Sequence, residues 1–303
     1  MSMARLFGRM RWGAVTAGWM AAALLTSSGP ASAGIADTRH NLGSGTNAVG
    51  TRNQVTDTAE ICVFCHTPHG GDTAAPVPLW NKRLGVSGAP AGGGTYTTYA
   101  TLQTPSLDGT EAPVGSVSMA CLSCHDGTQA MDNIINAPGS GGVVADGGGA
   151  TGRTNVWTGS PRANGDGVMQ NGGGFISMLG TDLSNDHPIG IQYCGGGLSG
   201  TGTSVSGTCK DLDFTMPQTA TINTNQIFWV DTGVTGKQRT DLPLYVRASN
   251  NNGATGPLVE CATCHDPHVS DNQTNAGGLP NSGATFLRIS NANSAVCTSC
   301  HVK

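Results

Sequence analysis

Apolar residues are concentrated in one stretch near the start of the chain, and elsewhere they are scattered among glycines and polar residues. The stretch spans Ala14 to Leu25, and Ala31-Ser32-Ala33 follows it. Three arginines precede it: Arg5, Arg9 and Arg11. This order is typical of a secretory signal peptide with an A-x-A cleavage site, so we predict that residues 1–33 are removed on export. A transmembrane helix is disfavoured because the stretch is far shorter than the ~20 residues that a bilayer needs.

The remaining pattern predicts a chain that is mostly coil, with few short helices and strands. Glycine accounts for 46 of the 303 residues and aromatic residues for only 5%, so neither long helices nor large sheets are expected. Leu, Ile, Val and Phe together number 54, which is below the rough fifth of a chain that an ordinary core requires. We therefore expect something other than side chains to fill the interior.

The charge balance excludes two classes of partner. Without residues 1–33 the chain has 12 basic and 19 acidic residues, a net charge of −7. Nucleic acid and anionic membranes are poor partners for a chain of this sign.

Eight of the ten cysteines fall into four copies of the pattern Cys-x-x-Cys-His. The copies are Cys62-Val-Phe-Cys65-His66, Cys121-Leu-Ser-Cys124-His125, Cys261-Ala-Thr-Cys264-His265 and Cys297-Thr-Ser-Cys300-His301. This pattern attaches a c-type haem: two thiols on one tight turn each form a thioether with a haem vinyl group, and the adjacent histidine binds the iron. We predict four covalently bound haems c, whose porphyrins would supply the missing apolar interior.

Zinc knuckles and redox-active disulfides are the main alternatives for paired cysteines. Neither chemistry requires a histidine directly after each pair. The chain has only 8 histidines, yet one follows every Cys-x-x-Cys. Haem attachment is therefore the preferred interpretation.

The four other histidines match one second axial ligand for each iron. They are His40, His69, His187 and His268. Two of them lie in a repeated Cys-His-x-Pro-His pattern, three residues after His66 and His265. A histidine so close to the first ligand cannot reach the far side of the same haem, so we expect it to bind an adjacent haem and to bring two porphyrins into a stacked pair. Two imidazoles per iron stabilise ferric haem and predict low potentials.

The order of these patterns predicts two similar modules, or one continuous domain built from both. Each module contains a lone histidine, a Cys-x-x-Cys-His-x-Pro-His segment and a further Cys-x-x-Cys-His segment. The first module spans 34–150 and the second 151–303, with the glycine-rich stretch Gly139 to Gly152 as the junction. Spacing does not decide which distal histidine binds which iron. Our expectation is that His69 and His268 bridge within their own pairs.

The two cysteines outside these motifs, Cys194 and Cys209, flank a loop rich in glycine and serine. In an oxidising compartment we predict a disulfide that closes this loop and stabilises the fold by ~3 kcal/mol through the entropy of the unfolded chain. A reactive thiol pair is the alternative.

The ordered set of motifs resembles the multihaem cytochromes of metal-reducing bacteria, and most of all the tetrahaem outer-surface members that form extracellular filaments. The matching segments are His40-Asn-Leu-Gly43, Cys62-Val-Phe-Cys65-His66-Thr-Pro-His69, Pro78-Leu-Trp-Asn81, Cys121-Leu-Ser-Cys124-His125-Asp-Gly-Thr128, Asn185-Asp-His187-Pro188, Cys261-Ala-Thr-Cys264-His265-Asp-Pro-His268, Phe286-Leu-Arg288 and Cys297-Thr-Ser-Cys300-His301. The glycine-rich stretches between 138 and 207 match least.

This resemblance implies a coil fold wrapped around a continuous stack of haems, bis-histidine ligation, and filaments in which a subunit donates one histidine to a haem of its neighbour. His40 is our candidate for that donor because it is remote from every Cys-x-x-Cys-His. The expected partners are further copies of the chain, other redox proteins and extracellular electron acceptors. The expected location is the outer cell surface or the extracellular space, and otherwise the periplasm.

Electron transfer without catalysis is the predicted activity. A monomeric periplasmic electron shuttle is the alternative within this class. A multihaem reductase is a second alternative, but it needs an iron with an open axial position. The histidines suffice for every iron, and no Cys-x-x-Cys-Lys variant is present.

Overall fold

The structure is a computed structural model of the chain, which divides into two units, Met1–Ala33 and Gly34–Lys303. It describes part of the second unit, in these ranges: 34–44, 53–85, 88–139, 155–158, 167–170, 177–198, 209–233, 235–248, 253–254, 256–269 and 286–302. The predicted signal peptide, and all but the first residue of the predicted junction, lie outside the described residues.

The helices are short, and they carry the cysteine motifs. The α-helices are α1 (Ser116–His125), α2 (Cys261–Cys264) and α3 (Ala295–Cys300). The 3-10 helices are Gly34–Asp37, Cys62–Phe64, Tyr99–Leu102, Tyr193–Gly195 and Ala292–Ser294. Each Cys-x-x-Cys therefore lies on a helical turn, where residues three positions apart share a face.

The strands form three small antiparallel sheets. They are β1 (Gln54–Val55), β2 (Trp157–Thr158), β3 (Ile191–Gln192), β4 (Gln218–Ile222), β5 (Asn225–Val230), β6 (Leu242–Leu244) and β7 (Leu258–Val259). β1 pairs with β2, β3 pairs with β7, and the third sheet has the order β4-β5-β6. Asn223 and Thr224 connect β4 to β5 with φ of 46° and 68°, the positive values that a two-residue type I′ turn requires.

The apolar core of the described residues consists of four separate clusters. The cluster built on the third sheet contains Tyr193, Phe228 and Leu242, together with the Cys194–Cys209 disulfide. Another contains Val114, Met119, Leu122 and Leu183 and packs against α1. The remaining described chain is mostly coil, with turns supported by backbone hydrogen bonds.

Segments on either side of the predicted junction pair with each other. β1 pairs with β2 across it, Ala130 bridges Val168, and Glu111 bridges Ile191. Residues 34–303 accordingly cluster as one unit. No helix of the described ranges has the length and apolar character needed to cross a bilayer.

Candidate haem-binding sites

The first Cys-x-x-Cys-His motif is a tight turn followed by a fixed histidine. The His66 backbone N–H donates to the carbonyl of Cys62 at 2.7 Å. Asn81 supports the turn from outside, because its backbone N–H donates to the Cys65 carbonyl at 2.8 Å and its side chain donates to the Val63 carbonyl at 2.6 Å. The His66 ring also lies edge-on against Trp80. The motif is therefore held in place by a segment that is distant in sequence.

Oxygen atoms orient the imidazole rings of several predicted ligands. The Nδ1 atom of four rings lies within hydrogen-bonding distance of an oxygen atom of another residue. The partners are the Pro78 carbonyl for His66 at 2.9 Å, the Ser177 carbonyl for His125 at 2.5 Å, the Pro188 carbonyl for His187 at 3.0 Å and Asp266 Oδ1 for His268 at 3.1 Å. Since a carbonyl oxygen can only accept, Nδ1 must carry the proton in the first three rings. Nε2 is then the basic nitrogen, which is the usual arrangement in a histidine that binds a metal.

Two pairs of histidine rings have a separation that suits one interposed metal atom. The ring centres of His66 and His268 are 6.1 Å apart, and so are those of His40 and His125. Because a nitrogen–metal bond is about 2 Å long and the ring centre lies about 1 Å behind the nitrogen, two imidazoles on one metal have centres about 6 Å apart. Each pair joins the histidine of one Cys-x-x-Cys-His motif to one of the four other histidines.

His40 has the environment of a neutral imidazole. Its Nδ1 is shielded from solvent and has no hydrogen-bond partner among the described residues. Burial, with a smaller contribution from the neighbouring His125, lowers the pKa of His40 to about 3, and burial also lowers the pKa of His125. Neutral imidazole is the form that binds metals. The ring of Phe286 stacks on His40 at 4.2 Å and covers one of its faces.

None of the eight motif cysteines forms a disulfide. Burial raises the pKa of Cys65 and of Cys264 to about 12 and that of Cys300 to about 11. A redox-active Cys-x-x-Cys depends on a lowered thiol pKa, whereas the pKa of these three thiols is raised. Cys194 and Cys209, the pair outside the motifs, are joined in a disulfide.

The structure adds ring contacts to two expectations about the distal histidines, which stay predictions. His268 is expected to act within its own module, and its ring lies beside His66, in the other half of the chain. His40 is the expected donor to a neighbouring subunit, and its ring lies beside His125 of the same chain. Spacing in the sequence does not indicate these contacts, because they depend on how distant segments meet.

The other predicted ligands are not part of these two histidine pairs. His69 and His187 are exposed, and neither forms a ring contact with another histidine within the described ranges. His265 forms a backbone bridge with Leu287. His301 forms a bridge with Phe214, whose ring lies 4.5 Å from the His301 ring.

Sequence reasoning missed a buried polar cluster beside the second and third motifs, formed by Ser118, Arg247 and Glu260. Arg247 Nη2 lies 2.6 Å from Glu260 Oε1, and both side chains are shielded from solvent. A capping box joins Glu260 to Thr263 at the start of α2. That box follows the spacing of a capping residue and a polar partner three positions later, so the sequence contained a signal for part of the cluster.

No three His, Cys, Asp or Glu side chains in the described part of the chain are grouped so as to ligate a metal ion by themselves. The two histidine pairs instead have a ring spacing that is compatible with the two axial ligands of a haem iron. No protein-family model matches this chain, and no curated protein matches it either.

Proposed function

We propose that this protein is an exported electron carrier that binds four c-type haems, each attached through one Cys-x-x-Cys-His motif and each ligated by two histidines. The observation that carries the proposal is that all four Cys-x-x-Cys-His motifs lie on helical turns, two of them with their histidine ring 6.1 Å from a second histidine ring. That spacing is compatible with one metal atom between the two imidazoles, and it is also common among ordinary ring contacts.

The bound group would supply reversible one-electron exchange at the iron. The residues of this chain would attach it, through the thiols, and would fill both axial positions. His66 and His268 would serve the first motif, and His40 and His125 the second. His69 and His187 would then serve the third and fourth motifs, whose proximal ligands are His265 and His301.

Neighbouring carbonyl oxygens and aromatic rings would fix the orientation of the ligating histidines. The carbonyls of Pro78 and Ser177 fix the orientation of His66 and His125, so that Nε2 is available for the metal. Phe286 stacks on one face of the His40 ring and shields that face. With every axial position filled, a substrate has no place to bind at the metal, and the protein is proposed to be a carrier and not an enzyme.

The experiment is a count of covalent haems in the mature secreted protein, by intact mass and by the absorbance of the reduced pyridine complex. The expected result is four haems, with low-spin spectra and no carbon monoxide binding. Replacing Cys62 and Cys65 with alanine should remove one haem. Replacing the disulfide cysteines Cys194 and Cys209 should remove none, because no histidine follows them. A wild-type count below four, or a high-spin iron in the intact protein, contradicts the proposal.

We further propose, on the resemblance to filament-forming cytochromes, that the chain assembles into an extracellular filament and passes electrons to redox proteins or external acceptors. Electron microscopy and native mass measurement of the secreted fraction test this. Ordered polymers are expected. A population of monomers confined to the periplasm would support the shuttle and exclude the filament.

A further inference from the structure

The second and third cysteine motifs are joined by buried hydrogen bonds, although they are distant in sequence. Helix α1, which ends in the second motif, contacts α2, which forms the third. The Ser118 hydroxyl donates to Glu260 Oε2 at 2.6 Å, and the Cys261 backbone N–H donates to Ser118 Oγ at 3.0 Å. Ser118 is therefore a direct link between the two helices.

Arg247 completes this link from the opposite side. Its Nε and Nη2 both donate to the same oxygen, Glu260 Oε1, at 3.0 and 2.6 Å, as charge-assisted hydrogen bonds, while Ser118 occupies the other oxygen. Its Nη1 donates to the carbonyl of Pro113, just before α1. The Ser118–Glu260–Arg247 cluster thus ties the start of α1 to the start of α2.

The cluster also joins the two helices that carry the Cys121 and Cys261 sulfur atoms, one from each motif. Each of these sulfurs would be bonded to the edge of a porphyrin in the proposed function. The two porphyrins would therefore be attached to helices that contact each other.

We infer that Ser118, Glu260 and Arg247 are positioning residues that hold the second and third haems edge to edge, and that electrons cross between the two halves of the chain at this junction. This inference rests on the proposed function. One electron leaves the reduced member of the pair and arrives at the oxidised member, while no bond forms or breaks and no proton moves. The cluster contributes geometry and not chemistry, since electron exchange weakens steeply as the gap widens.

The test compares Ser118→Ala with Thr219→Val, a control outside every Cys-x-x-Cys-His motif. Both changes remove one hydroxyl donor, but the Thr219 hydroxyl donates within the third sheet, to the Ile227 carbonyl at 3.0 Å. The readouts are the paired positive and negative circular dichroism bands of coupled haems in the Soret region, and the rate of electron equilibration after flash reduction. Ser118→Ala is expected to diminish the paired bands and to slow equilibration several-fold, while Thr219→Val matches the wild type.

Glu260→Gln provides a second variant if Ser118→Ala does not accumulate. It keeps an acceptor for Ser118 but weakens the bond to Arg247, so a smaller change in the same direction is expected. Equal spectra and rates for all variants and the wild type overturn the inference. A wild-type protein with fewer than four haems overturns the proposed function instead, and the mass spectrum that accompanies each measurement separates the two failures.

Discussion

Replacing His268 with alanine should change the iron of the first motif and leave the iron of its own motif intact. The reason is the 6.1 Å spacing between the His268 and His66 rings. If His268 is one of eight axial imidazoles, its loss leaves one iron in four with a single axial ligand, so about a quarter of the haem should convert from low spin to high spin. The same fraction should bind carbon monoxide after reduction.

To identify the affected iron, His268→Ala is combined with cysteine substitutions that remove one haem at a time. In a background where Cys62 and Cys65 are alanine, the first haem is absent, and His268→Ala should produce no additional high-spin signal. Where Cys261 and Cys264 are alanine, the third haem is absent, and the signal should persist. Electron paramagnetic resonance and a carbon monoxide titration measure both backgrounds.

His69→Ala is the matched control, because His69 occupies the same place in the first Cys-His-x-Pro-His pattern. Its effect should persist when the first haem is absent. Low-spin spectra for all four irons after His268→Ala would refute the ligand assignment. A high-spin signal that disappears only when the third haem is removed would also refute the ligand assignment.

Three further substitutions test how the fold is stabilised, each by thermal or denaturant unfolding of the haem-loaded protein. Lys82→Met removes a buried ammonium that donates to two backbone carbonyls, and should lower the free energy of unfolding by about 2–3 kcal/mol. Arg83→Ala, at the exposed neighbouring position, should leave it almost unchanged. Cys194→Ser opens a loop closed over a sequence separation of 15 and should cost about 3 kcal/mol; equal stability with and without reductant would contradict this. Arg247→Gln leaves Glu260 buried without its ion-pair partner and should cost about 3–5 kcal/mol, and an unchanged midpoint would show that the pair is not desolvated.

Local features of the fold could be predicted from the sequence, because they depend on few neighbouring residues. The scarcity of large apolar residues and the abundance of glycine indicated a coil-rich chain, and the structure has only short helices and small sheets. The three-stranded sheet β4-β5-β6 was not anticipated as an element. Its aromatic residues, such as Phe228 and Trp229, are typical of strands, but the apolar run of β5 is short and polar residues surround it on both sides in the sequence.

Contacts between distant segments could not be predicted, because a repeated pattern describes each segment alone. Two modules were predicted from the parallel order of motifs, and β1 pairs with β2 and Ser118 bonds Glu260 across the predicted junction. The same limitation explains the distal histidines. His268 lies three residues from His265 in sequence, but its ring lies beside His66.

The two kinds of bond in the proposed sites depend on the chain at different scales. The thioethers and the proximal ligand come from five consecutive residues, so attachment requires only a helical turn such as Cys62–Phe64. The second imidazole comes from a distant segment, and it can bind only after a long loop has closed at an entropic cost. His268 beside His66, and His40 beside His125, therefore link segments that the small apolar clusters do not join by themselves. A chain with so few large apolar residues can be stable in this fold because each attached haem would be bonded to one helical turn and would also bind a histidine from a distant segment.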